Sequence, residues 1–208
     1  MNAWGWLLSF GLLASSARVI NFDGYPVGKT PPGWIVPAPT RGAPPRWEVR
    51  RDPSAPTQPY VLAPVPVAGG TRTLIALLDN FLLQDGEVSV RIKPLAGHND
   101  QAGGVVWRYR DENNYYMARA DALAKSVTVF KVENGQRVRL LTGVKPELSA
   151  NGWYILKAWA RGNRYQVYLD HRRILEGRDN TFSGPGRVGV WSGADSMTYF
   201  DDFRVLAR

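Results

Sequence analysis

The sequence predicts an all-β sandwich of two antiparallel sheets, and three observations carry that expectation. First, residues 87–93 alternate with a period of two: Val88, Val90 and Ile92 fall on one face, and Glu87, Ser89, Arg91 and Lys93 on the other. Past residue 20 no segment holds a sustained 3.6-residue apolar period. Second, turn signals such as Asn134-Gly135 and Gly162-Asn163 recur at strand-length intervals. Third, 12 of the 15 prolines fall between residues 26 and 66, which excludes helix interior there. A β-sandwich or jelly roll satisfies all three.

The composition bounds the chemistry. The chain has 208 residues, 44% of them apolar and 12% aromatic, enough for one domain with a buried core. There is no cysteine, so disulfides, thiolate metal sites and cysteine nucleophiles are excluded. His98 and His171 are the two histidines, so a three-histidine metal site is excluded as well. The formal net charge is +8. The cations are scattered and form no polybasic tail, so no nucleic-acid partner is expected.

The elements follow in chain order. Residues 4–14 are apolar but shorter than the roughly 20 residues a membrane span needs. They suit the apolar region of a signal peptide, although no Lys or Arg precedes them. Ser15 and Ala17 are small residues at the −3 and −1 positions of a cleavage site. The expected organisation is a signal peptide over 1–17 and a single jelly-roll domain over 18–208, secreted or periplasmic in a bacterium. No membrane partner is expected after cleavage. Residues 26–66 read as proline-rich loops and edge strands, with Trp34, Trp47, Tyr60 and Leu62 seeking burial. Residues 71–83 are ambiguous, since Leu74, Leu77 and Leu78 also suit one helical turn.

Turn chemistry then sets the faces. A two-residue turn at Glu112-Asn113 puts Arg108 opposite Met117. The Asn134-Gly135 turn puts Phe130 opposite Arg139 and Val129 opposite Leu140. A turn at Leu123-Ala124 puts Arg119 opposite Thr128. One face collects Val105, Trp107, Tyr109, Tyr116, Ala118, Ala120, Val127, Val129, Val138 and Leu140, the expected core. The other collects Arg108, Arg110, Tyr115, Met117, Arg119, Thr128, Phe130 and Arg139. The Gly162-Asn163 turn puts Leu156, Ala158, Tyr165 and Val167 inward, and Lys157, Trp159, Gln166 and Tyr168 outward. Outward aromatics are either ligand platforms or packed beneath a loop.

Several segments resemble one bacterial exported family of the concanavalin A-like lectin/glucanase superfamily. They are residues 100–109, Asn113 to Tyr116 with Arg119, residues 130–135, 152–154, 186–191 and 195–202. The family is termed 3-keto-disaccharide hydrolase-like and was formerly a domain of unknown function. The resemblance spans about residues 22–206. It implies a jelly roll with a concave, carbohydrate-facing sheet.

The carboxylate pattern of laminarinase-like glucanases in that superfamily, Glu-x-Asp-x-x-Glu, is absent. The leading expectation is therefore an exported carbohydrate-binding domain. The alternative is a small glycosidase or lyase acting on 3-keto-disaccharides or glucosides. For such chemistry His98, with Asp100 two residues on, is either a base or an ordinary loop histidine. The expected ligand face comprises Arg108, Arg119, Lys157, Trp159 and Trp191, with Gln101 and His98 at its rim. An indole offers a flat surface to a pyranose ring, and guanidinium groups offer forked donors to its oxygens. No cofactor is expected beyond a structural calcium ion, for which Asp23, Asp201 and Asp202 are candidates. Strand-end turns explain the same aspartates.

Overall fold

A computed structural model describes residues 17–38, 45–65, 73–144, 147–193 and 195–208. Most of the expected leader, residues 1–16, therefore lies outside the described residues. The described chain forms two antiparallel sheets and no helix. Sheet A runs β13 (Arg172–Arg178), β12 (Arg164–Leu169), β11 (Tyr154–Arg161), β6 (Gly86–Ala96), β15 (Met197–Ala207), β4 (Tyr60–Val65) and β3 (Arg46–Arg51), with β1 (Ala17–Ile20) also paired to β15. Sheet B runs β10 (Gln136–Val144), β9 (Ser126–Glu133), β8 (Asn114–Asp121), β7 (Ala102–Asp111), β14 (Gly186–Ser192), β5 (Leu74–Leu83) and β2 (Trp34–Ile35).

The main core lies between the sheets. Trp107 stacks on Tyr116 at 5.4 Å, and Tyr165 meets Trp107 from sheet A at 6.4 Å. The proline-rich segment contributes edge strands and large aromatics. Trp34 packs on Phe22 and Phe203, and Trp47 packs on Phe200. Residues 74–83 are strand, not helix: Leu74, Ala76 and Leu78 enter the main core while Ile75 and Leu77 enter a second cluster on the other face. Burial on both faces explains why this strand reads as a continuous apolar run.

One backbone feature revises the expected faces. The 112–113 turn forms, with Asp111 opposite Asn114, but Val106 then pairs Met117 and Trp107 pairs Tyr116. Three residues of β7 thus oppose one of β8. Arg108 takes a left-handed φ of 48°, costly for a residue with a Cβ. The bulge reverses parity. Arg108, expected outward opposite Met117, turns inward and is 3% exposed. Tyr109, expected in the main core, turns outward and stacks on Tyr115 at 5.4 Å. Gly186 permits the bulge, because a Cβ there would lie 2.4 Å from the Arg108 carbonyl carbon. Two smaller corrections concern β10. A shift at Leu140 pairs Val129 with Leu141, and Val138, expected in the core, is exposed on the sheet edge.

The buried Arg108 guanidinium ties three loops together. It donates to the carbonyl oxygens of Gln84 (3.0 Å), Phe182 (2.7 Å) and Gly162 (2.8 Å), and pairs with Asp85 at 3.2 Å. Elsewhere, β15 shifts register between Asp201 and Arg204, with Asp202 at φ 48°. Asp201 is fully buried there, accepting from the backbone N–H of Thr57 (2.9 Å) and of Asp202 (2.7 Å). Burial, followed by the neighbouring Asp202 and Asp23 carboxylates, pushes its pKa up to about 7, against the downward pull of those two N–H donors.

Two stability outcomes follow. Arg108→Ala removes the guanidinium donor from three carbonyls and leaves Asp85 only the Gly162 N–H, and is expected to cost about 3 kcal/mol or more in urea unfolding. Arg108→Lys should not restore it, since an ammonium lacks the planar fork. For Asp201, the folded carboxyl holds its proton up to about pH 7 while the unfolded one loses it near 3.8. The folded state therefore binds more protons between those values, so this group's contribution falls as pH rises through that window. Urea titrations across pH 4–7 should show that fall, and Asp201→Asn should flatten it; an unchanged slope would refute the assignment.

Candidate functional site

The outer face of sheet B carries a second cluster of large side chains, built by strand register. One row runs Ile75, Trp191, Gly104, Arg119 and Thr128 across five strands. The next runs Leu77, Gly189, Val106, Met117, Phe130 and Arg139. A third brings Tyr115, Val132 and Arg137 together, and the bulge adds Tyr109. Arg119 pairs with Asp100 at 2.9 Å and Asp121 at 3.1 Å. Arg119 and Arg137 both lie over the Phe130 ring, at 5.7 and 5.1 Å.

A cleft of about 360 Å³ opens on this face. Ile75, Tyr109, Tyr115 and Val132 form its apolar lining, Pro37 and Pro45 close it from the proline-rich segment, and Thr73, Glu112 and Arg137 supply polar groups. Burial pushes the Tyr115 phenol up to about 12, against the pull of Arg137 and a hydrogen bond with Thr73. That phenol therefore stays a neutral donor and acceptor at physiological pH. The combination is apolar walls with a few convergent polar groups, in the size range of about 300–1,000 Å³ typical of ligand pockets.

The expected ligand face is only partly assembled. Arg119 and Trp191 do share the outer face of sheet B. Yet Trp191 is 1% exposed, packed within the second cluster, so its ring is not an open platform. Its Nε1 and the Nε of Arg119 are buried without hydrogen-bond partners. Arg108 is withdrawn to the interior by the bulge. Lys157 and Trp159 point outward as expected, but from β11, which belongs to sheet A. They cannot join the others, because the two sheets turn their outer faces in opposite directions. Lys157 lies over Tyr168 at 4.3 Å and pairs with Glu87 at 3.3 Å.

Gln101 precedes β7, with its amide 3.4 Å from the Gly97 carbonyl. The backbone N–H of His98 donates to Asp195 at 3.0 Å while its side chain is exposed. Neither residue lines the cleft. Of the residues that do line it, Tyr115 was placed on this face by parity, while others were hidden for two reasons. Tyr109 was masked by the parity reversal. Pro37 and Pro45 are brought over the sheet by tertiary packing with no local sequence signal.

Asp23, Asp201 and Asp202 do converge, yet their oxygens face donors rather than one another. Asp23 accepts from the N–H of Tyr60, Asp201 from two N–H groups, and Asp202 from Thr57 Oγ1 and the Arg91 guanidinium. Among the described residues no group of three or more His, Asp or Glu is arranged to hold a metal ion. Calcium needs 6–8 oxygens, and this donor set does not fit it.

Comparison with known proteins adds to this geometry. A levanase from Bacillus subtilis (strain 168) is 33% identical over 122 residues, covering 54% of this chain and 18% of the levanase. The chain thus spans less than a fifth of that relative's length. The carbohydrate-binding module CBM66 from Bacillus subtilis superposes with a TM-score of 0.66 at 24% identity, covering 86% of this chain and 98% of the module. The Bacillus licheniformis beta-glucanase superposes with a TM-score of 0.64 at 11% identity, covering 92% and 98%. No family model matches the chain. Among the described residues no helix is long and apolar enough to cross a membrane. The chain is a jelly-roll sandwich of two antiparallel sheets, resembling in fold the carbohydrate-binding module and the beta-glucanase.

Proposed function

We propose that the protein is a carbohydrate-binding domain and that the cleft on sheet B takes a sugar end. The observation that carries this is the cleft itself. Two stacked tyrosines form a flat apolar wall, and Glu112, Thr73 and Arg137 provide acceptors and donors within one small volume. Pro37 and Pro45 narrow the cleft, which suits a chain terminus better than a chain passing through. Arg119 lies over the Phe130 ring, and Trp191 packs in the same outer-face cluster, so both support the cleft rather than line it. The partial likeness to a levanase makes levan the first polymer to test.

The enzymatic alternative is cleavage of a 3-keto-disaccharide by a member of the hydrolase-like family. It has one carboxylate, Glu112, among the described residues lining the cleft. Glycoside hydrolysis usually uses two, so binding without turnover is the better-supported reading. We also infer export, with the leader removed after Ala17. The mature chain would then begin at Arg18, inside the strand Ala17–Ile20 that pairs with β15.

Calorimetric titration of the full domain with levan, inulin, β-glucan and xylan fragments should give saturable binding to at least one. Arg137→Ala, at an exposed position, should weaken that binding about tenfold with an unchanged thermal melt, the loss expected for one charge-assisted hydrogen bond. Equal affinity of wild type and variant for every glycan would refute the cleft. A parallel assay should show no sugar released from 3-keto-glucosides; turnover would favour the enzyme. Mass spectrometry of protein from its native host should find Arg18 at the N-terminus, and an intact Met1 would refute cleavage.

A further inference from the structure

The outer face of sheet A carries a depression unrelated to the cleft on sheet B. Its floor is Ser89, a short side chain among tall ones. Lys157 stands across from it on β11 and Arg204 across from it on β15. Glu87 and Arg91 flank it along its own strand. The cavity measures about 610 Å³ and also reaches Asp202 and Arg208.

Its charges are unequal. Four cations, Arg91, Lys157, Arg204 and Arg208, face two carboxylates. Glu87 is shared by Lys157 at 3.3 Å and Arg208 at 2.7 Å, and Asp202 is paired with Arg91 at 2.9 Å. Arg204 is exposed, and among the described residues no carboxylate lies within ion-pair distance of its guanidinium. An unmatched guanidinium over a pit lined by further cations has the fork geometry for a carboxylate.

We propose that this depression is a second binding site, for a carboxylate-bearing sugar of an acidic glycan. The uronate carboxylate sits on Arg204, with Lys157 as second cation. The hydroxyls of the same ring donate to Glu87 and Asp202, whose oxygens keep free lone pairs, and exchange hydrogen bonds with Ser89. The two wall carboxylates decide the ligand class. They repel a dense polyphosphate such as nucleic acid, which brings few donors to satisfy them, and they reward a polyhydroxylated anion. Lys157 over the Tyr168 ring at 4.3 Å also caps the aromatic surface a nucleobase would need.

The test is titration of the full chain with a short oligogalacturonate, its carboxyl-reduced neutral counterpart and duplex DNA, at low and moderate salt. The oligogalacturonate should bind, with affinity falling as salt rises, while the reduced form should not. Arg204→Glu removes the unmatched cation and Ser89→Tyr fills the pit. Each should weaken binding about tenfold or more with an unchanged melt. Absence of binding, equal binding of the reduced sugar, or tighter binding of DNA would overturn the proposal. So would loss of uronate binding in Arg137→Ala while Arg204→Glu still binds, because the ligand would then occupy sheet B. Uronate binding lost in Arg204→Glu would stand even if no neutral glycan bound the cleft.

Discussion

The left-handed turn of the backbone at Arg108 is the constraint on which the architecture of sheet B depends. A side chain with a Cβ is held at φ 48° because its guanidinium meets three loop carbonyls and Asp85 in the interior. Those bonds fix the 84–85, 162 and 182 segments against the end of β7. The local strain is offset by satisfying carbonyls that would otherwise be buried without donors. The same bulge sends Tyr109 to the opposite face, where it meets Tyr115. A structural bond on one side of the strand thus creates the aromatic wall of the cleft on the other.

Much of the fold was legible because it rests on period and turn chemistry. Strict alternation in residues 87–93 gave β6, the Asn134-Gly135 turn gave a register that holds next to it, Phe130 opposite Arg139, and the Gly162-Asn163 turn gave the inward set Leu156, Ala158, Tyr165 and Val167. Parity also placed Tyr115, Met117, Arg119, Phe130 and Arg139 together. Illegible were the places where backbone geometry departs from ideal pleating. Nothing in the residues around Arg108 announces a left-handed conformation, since glycine is the usual marker and none is there. Past that point Tyr109, read as core, lies on the outer face instead.

The site was less legible than the fold for a separate reason. Parity tells whether a side chain points in or out, but not to which sheet its strand belongs. Lys157 and Trp159 were read outward correctly, yet β11 pairs with β6 and β12, on the far side of the sandwich from Arg119. Likewise, an outward tryptophan is an open platform only if nothing covers it. Trp191 points away from the main core and is buried all the same. Coverage by distant chain is a property of topology, and a local pattern does not encode it.

The net charge of +8 acquires meaning only when divided between the two faces. On the outer face of sheet B two guanidinium groups are held in place. Arg119 is gripped between Asp100 and Asp121, and Arg119 and Arg137 both lie over the Phe130 ring. Cations fixed against aromatic rings lose little further entropy on meeting a ligand, so they favour geometric selectivity over long-range attraction. On sheet A the cations share their carboxylates unevenly and, among the described residues, leave Arg204 without a carboxylate at the surface. A surplus of that kind acts at a distance and is screened by salt. The same residue type therefore stiffens one face and charges the other.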